Sequence, residues 1–107
     1  MLLTTQDNFS EYEIMETLGI VKGNTVRARH AGKDILAAFR NVVGGEIEEY
    51  TKLLAESREQ SIDRMMKAAK NMGADGIVCI RFTTSSIMQS AAEMFVFGTA
   101  VKLKKKK

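Results

Sequence analysis

Residues 46–72 read EIEEYTKLLAESREQSIDRMMKAAKNM, and the spacing within them decides the fold. Apolar residues recur at Ile47, Tyr50, Leu54, Ile62, Met65, Ala69 and Met72, with Arg58 filling the stripe between them. Steps of three and four are the period of a helix with one buried face. Glu46, Glu48 and Glu49 open the stretch and Lys67 and Lys70 close it, which complements the helix dipole. Gly73 follows, and glycine readily takes the left-handed conformation that ends a helix. At about 1.5 Å per residue this helix spans roughly 40 Å. A compact chain of this size has a radius of gyration near 13 Å by the usual scaling (~13 Å). Either the helix bends around the polar run from Glu56 to Ser61, or its stripe continues onto a neighbouring subunit.

Upstream, Ile35, Leu36, Phe39, Val42 and Val43 predict a helix from Lys33 to Val43 that meets the long one at the Gly44-Gly45 corner. Before it, Tyr12 to Val21 alternates imperfectly, with Ile14, Leu18 and Ile20 on one side and Met15, Thr17 and Val21 on the other. This is a strand, followed by a turn or bulge at Gly23-Asn24 and an extended continuation from Thr25 to Arg29. Met1 to Thr5 forms a short strand that needs a partner. Downstream, GIVCIRFTT (Gly76 to Thr84) and EMFVFGTAVKL (Glu93 to Leu103) form a hairpin joined by a polar loop around Ser85 to Ser90. In the last strand Phe95, Phe97 and Val101 face one way and Met94, Val96 and Ala100 the other, so both faces are apolar. Helices cover one side of such a sheet. The pattern predicts an α+β domain whose second sheet face meets another subunit.

With 107 residues the chain makes one domain over residues 1–103, followed by a flexible lysine tail over 104–107. The formal charge is +3, yet the last four residues are all lysine, which leaves the rest of the chain close to neutral. Nucleic-acid binding is disfavoured, because an electrostatic footprint belongs on a folded face. Cys79 is the one cysteine, so no intrachain disulfide forms and a reducing, cytoplasmic compartment is expected. The N-terminus lacks a signal-peptide pattern, and no apolar run approaches the roughly 20 residues that span a bilayer.

Candidate chemistry is sparse. His30 and Cys79 are the weak metal candidates, one in a loop and one in mid-strand; their ordinary readings are an exposed imidazole and a buried, inert thiol. The seven methionines suit soft metals, but their placement in helix and strands reads as core packing. Gly44-Gly45 before a helix resembles a phosphate cradle, which the three following glutamates would oppose. Arg58 and Arg81, charged residues on apolar stripes, must snorkel, pair or bind an anion, with Glu93 and Glu46 as available partners.

Thr4-Thr5, LGIVKG (Leu18 to Gly23), GGE (Gly44 to Glu46) with Tyr50 four residues on, Arg58, Met65 and Ala68 occur in order. They continue through GADGIVCIRF (Gly73 to Phe82), Glu93 and FGTAV (Phe97 to Val101). The whole resembles the YbjQ-like family, small bacterial proteins labelled heavy-metal-binding, from about Leu3 to Leu103. That pattern usually has Tyr where Phe97 stands. The resemblance implies a two-layer β-α-β-β subunit similar to dodecin subunits, with an antiparallel sheet and one long helix. It also implies a ring-shaped homopentamer with short strands crossing between subunits. It supplies neither a reaction nor a ligand set.

The resulting expectation is a non-enzymatic cytoplasmic homo-oligomer that binds a metal ion or small ligand at subunit interfaces. Its candidate pocket comprises Glu46, Tyr50, Arg58, Arg81 and Glu93. The same residues would serve the main competitor, an enzyme with a composite interfacial site, for which no nucleophile-base pair is recognisable. A third reading is an adaptor that docks on anionic surfaces through Lys104 to Lys107.

Overall fold

In the computed structural model, which describes residues 1–27, 47–88 and 91–107, the long helical period forms α1 (Ile47–Asn71). Four strands accompany it: β1 (Leu2–Leu3), β2 (Tyr12–Arg27), β3 (Gly76–Met88) and β4 (Ala91–Lys105). The expected helix over 33–43, the Gly44-Gly45 corner, Glu46 and His30 lie outside the described residues. α1 ends as its sequence predicts. Gly73 has φ +79°, its N–H donates to Lys70 O at 2.9 Å and that of Ala74 donates to Ala69 O at 3.0 Å, the paired bonds of a Schellman cap.

The sheet order is β1-β3-β4-β2. β2-α1-β3-β4 is the expected β-α-β-β run, and β3 and β4 form an antiparallel hairpin with β2 antiparallel on the other side of β4. The expectation of a wholly antiparallel sheet is corrected by β1, which pairs parallel with β3 through Leu2 opposite Gly76 and Leu3 opposite Ile77. A parallel pair needs a long crossover, and here β2 and α1 lie between the two strands in sequence. The N-terminal segment then continues along the β3 edge. Thr4 N–H donates to Ile77 O at 3.1 Å, and Cys79 N–H donates to Gln6 O at 2.9 Å.

Three local expectations change. β2 runs unbroken through Gly23-Asn24, and its irregularities fall earlier, between Ile14 and Glu16 and between Thr17 and Gly19. The second shift moves Leu18 onto the side of Val21, where it packs on the core, while Ile20 is 79% exposed. The polar segment after Thr84 is ladder and not loop: β3 stays paired to β4 as far as Met88 opposite Ala91. β4 also runs past Leu103, with Lys104 opposite Glu13 and Lys105 opposite Tyr12, so two of the four terminal lysines belong to the sheet.

The buried face of α1 also differs from the apolar stripe. Among the helix residues whose side chains are described, Ser57, Ser61, Met65 and Ala69, spaced by four, are buried, whereas Arg58 is exposed. Gly23 explains this. A Cβ there would overlap Ser61 O and lie 2.6 Å from Met65 N, so helix backbone rests directly on strand backbone and only small side chains fit around the crossing. The hydroxyls are satisfied across the layers. Ser61 Oγ lies 2.8 Å from Thr25 Oγ1 and donates within reach of Ser57 O at 2.9 Å and Met94 O at 3.2 Å. Among the described residues no buried side-chain nitrogen or oxygen lacks a partner. The helix therefore does not need to bend around its polar run. Below this crossing, Val21, Met65, Ala69, Ile77, Ile80, Val96 and Ala100 form the core between helix and sheet.

Candidate functional site

Strand alternation sends the neighbours of those core residues to the opposite face of the sheet, which α1 does not cover. Cross-strand register groups them into rows running from β3 across β4 to β2. Val78, Thr99 and Ile20 form one row, and Arg81, Phe97 and Lys22 the next. Thr83, Phe95 and Asn24 follow, then Ser85, Glu93 and Val26. The centre is aromatic: Phe95 and Phe97 lie two residues apart on β4, with ring centroids 5.7 Å apart and planes inclined by 38°. Ile20, Val26 and Phe97 all remain substantially exposed.

The charges on this face are arranged in two ways. Arg81 Nη1 donates to Thr5 O and Ile80 O, each at 2.8 Å, so backbone carbonyls hold the guanidinium from one side. Glu93 Oε2 accepts from Asn24 Nδ2 at 3.0 Å. Arg81 and Glu93 share the face without pairing, because Arg81 opposes Phe97 and Glu93 stands four residues earlier on β4, about 14 Å along the strand. Lys22 is exposed and has no hydrogen-bond or ion-pair partner among the described residues.

Of the candidate pocket, Arg81 and Glu93 lie on one face of the sheet but two rows apart. Arg58 is exposed on α1, in the layer on the other side of the sheet, and makes no ion pair among the described residues. Tyr50 lies in α1, but its side chain is outside the description, as is Glu46. Lys22 is the residue the sequence pattern conceals, because the shift at Gly19 hides the phase of β2 and Gly23 reads as a turn. Its opposition to Phe97 becomes visible only through the register.

Cys79 occupies a bulge in β3 at φ +58° and its side chain is half-buried. Among the described residues no group of three or more His, Cys, Asp or Glu side chains converges as a metal site would require. A cavity of about 270 Å³ opens on the helix side, between α1 and the β1/β3 edge, where Leu3, Ile62, Ile80 and Phe82 make its wall apolar. It carries no titratable group and offers no acid-base chemistry. Among the described residues no helix is long and apolar enough to cross a membrane.

A family model described as "Putative heavy-metal-binding" matches residues 1–104. The chain belongs to the YbjQ-like family. A YbjQ-like relative from Pseudothermotoga lettingae, called UPF0145 protein, is 57% identical over 105 residues, spanning 98% of this chain and 99% of the relative. Another UPF0145 protein, from Archaeoglobus fulgidus, is 53% identical over 104 residues, spanning 97% and 96%. The relatives of this chain thus include archaeal as well as bacterial proteins. The fold is also similar to a crystal structure from Pediococcus pentosaceus, a protein of unknown function in the DUF74 family, at TM-score 0.66 and 14% identity over 97% of this chain and 98% of that one.

Proposed function

We propose that the protein works as a non-catalytic cytoplasmic homo-oligomer, a ring of five copies, that holds a metal ion or small ligand where copies meet. The observation that carries this reading is the sheet face opposite α1, where Ile20 is 79% exposed one row from the exposed Phe97, with Val26 exposed further along β2. A face that apolar is costly to leave in water and is the kind of surface that oligomers cover. The proportions of the chain point the same way. Its radius of gyration is 17.1 Å and its extents are 56 × 24 × 16 Å, well beyond the ~13 Å radius of a compact chain of this length. The outer edge of β2, a strand of 16 residues at the end of the sheet, has no partner strand among the described residues, and such an edge offers backbone groups that a second copy can engage. The family description supports a metal ion, and Lys22 and Arg81, which have no carboxylate partner among the described residues, support an anionic small ligand.

Native mass spectrometry of gently purified protein tests both halves together, because it reports subunit number and retained mass. Five subunits carrying a stoichiometric extra mass are expected. Five subunits with no extra mass after mild desolvation would count against the ligand, and a monomer at micromolar concentration would end the assembly.

A further inference from the structure

The central row of the open face sets a cation on each side of an aromatic ring: Arg81 on β3, Phe97 on β4 and Lys22 on β2. Adjacent strands lie about 4.8 Å apart, so the two cationic side chains start roughly 10 Å from one another with the ring between them. Phe95, one row away on the same strand, extends the apolar floor. Glu93, the carboxylate two rows from the central one, is already engaged by the Asn24 amide. The central row therefore carries two positive charges and no negative one.

We infer that this face binds a small planar aromatic anion, its ring laid on Phe97 and Phe95 and its phosphate or carboxylate group met by Lys22 or Arg81. This rests on the proposed ligand-binding role and names the class of ligand. An aromatic floor rewards a flat π-system, as in sheets that stack nucleobases. The row repels a metal cation and attracts an anion; Arg81 Nη1 is held by Thr5 O and Ile80 O toward the outer edge of β3, so Lys22 is the cation beside Phe97 with no partner among the described residues and Arg81 adds positive charge from the far side. A long polyanion fits poorly. Without its four terminal lysines the chain is close to neutral, and tight binding of a nucleic-acid strand needs many distributed cations.

Titration calorimetry on the full chain tests this with AMP and 2-naphthoate as aromatic anions, adenosine as the neutral aromatic and inorganic phosphate as the bare anion. At least one aromatic anion is expected to bind about tenfold or more tighter than both adenosine and phosphate. Lys22→Ala and Phe97→Leu should each weaken it about tenfold, while Lys67→Ala, exposed on α1 in the other layer, leaves it unchanged. Phosphate binding as tightly as AMP would overturn the aromatic half. Saturation by neither aromatic anion at millimolar concentration, or saturation insensitive to both open-face variants, would overturn the whole. Native mass spectrometry of the same samples separates the two readings: a pentamer that binds no aromatic anion defeats this inference alone, and a monomer that binds one defeats the assembly alone.

Discussion

The two faces of the sheet come from the same strands and are built to opposite rules. On the face under α1, side chains are small where the layers cross, and Val96, Ala100 and Ile77 are wholly excluded from water. On the other face, rows of mixed character put Phe95 and Phe97 beside Lys22, Arg81 and Asn24. The first face is specified by what it cannot accommodate, the second by what it leaves unmatched. Close backbone approach forces glycine and serine onto the covered face, and a large side chain there costs the fold itself. Around Phe97 the open face tolerates bulk and charge because Ile20, Lys22 and Phe97 stay exposed there, whereas Val78 and Val101 at its other end are buried, and the apolar content of the exposed part then needs another explanation.

The strongest way to break the contrast is to add volume at the crossing. Gly23→Val would drive its side chain into Ser61 O and the backbone at Met65, neither of which can move without displacing α1. A loss of about 3 kcal/mol or more is expected, as for severe overpacking, read from the denaturation midpoint. A loss below about 1 kcal/mol would mean that α1 does not rest on β2 in this way. A smaller effect comes from the hydroxyls. Ser61→Ala removes the group that lies between Thr25 Oγ1, Ser57 O and Met94 O, yet Thr25 Oγ1 keeps its own 3.3 Å bond to Ser57 O. About 1 kcal/mol of destabilisation follows. Combining it with Thr25→Val should cost less than the two changes summed, because both belong to one network.

These residues also mark where the sequence is readable and where it is not. The extent of α1, its Gly73 cap and the two-sided apolar character of β4 follow from periodicity alone, since each depends on neighbours close in the chain. The buried stripe does not. Arg58 occupies the position that extends the apolar pattern, while Ser57 and Ser61 read as a polar interruption. What buries the serines is Gly23, more than thirty residues away, together with a hydroxyl on Thr25 that satisfies them. Such a match exists only in three dimensions. The same holds at the candidate site. Arg81 and Glu93 stand out as charges in apolar strands and do share a face, but their separation, the Asn24 amide that Glu93 takes instead, and the place of Lys22 opposite Phe97 are consequences of register. Register in β2 is altered by two irregularities, of which Gly19 announces only one and no residue type the shift between Ile14 and Glu16.

The smallest expected change in the stability of the isolated fold sharpens the comparison most. Ile20 is 79% exposed on the open face, so Ile20→Ser removes almost no contact within the chain. At protein concentrations low enough to favour single copies, its denaturation midpoint should correspond to a stability within about 0.5 kcal/mol of the parent. At higher concentration the two should diverge, because a contact made only between copies stabilises the folded state by mass action and grows with concentration. Sedimentation velocity on the same samples should show the variant shifted toward smaller species. If the variant is destabilised equally at every concentration, Ile20 belongs to the chain's own core and the open face is not open. If stability and assembly both match the parent throughout, the apolar surface at Ile20 is not where copies meet, and the interface has to be sought along the outer edge of β2 instead.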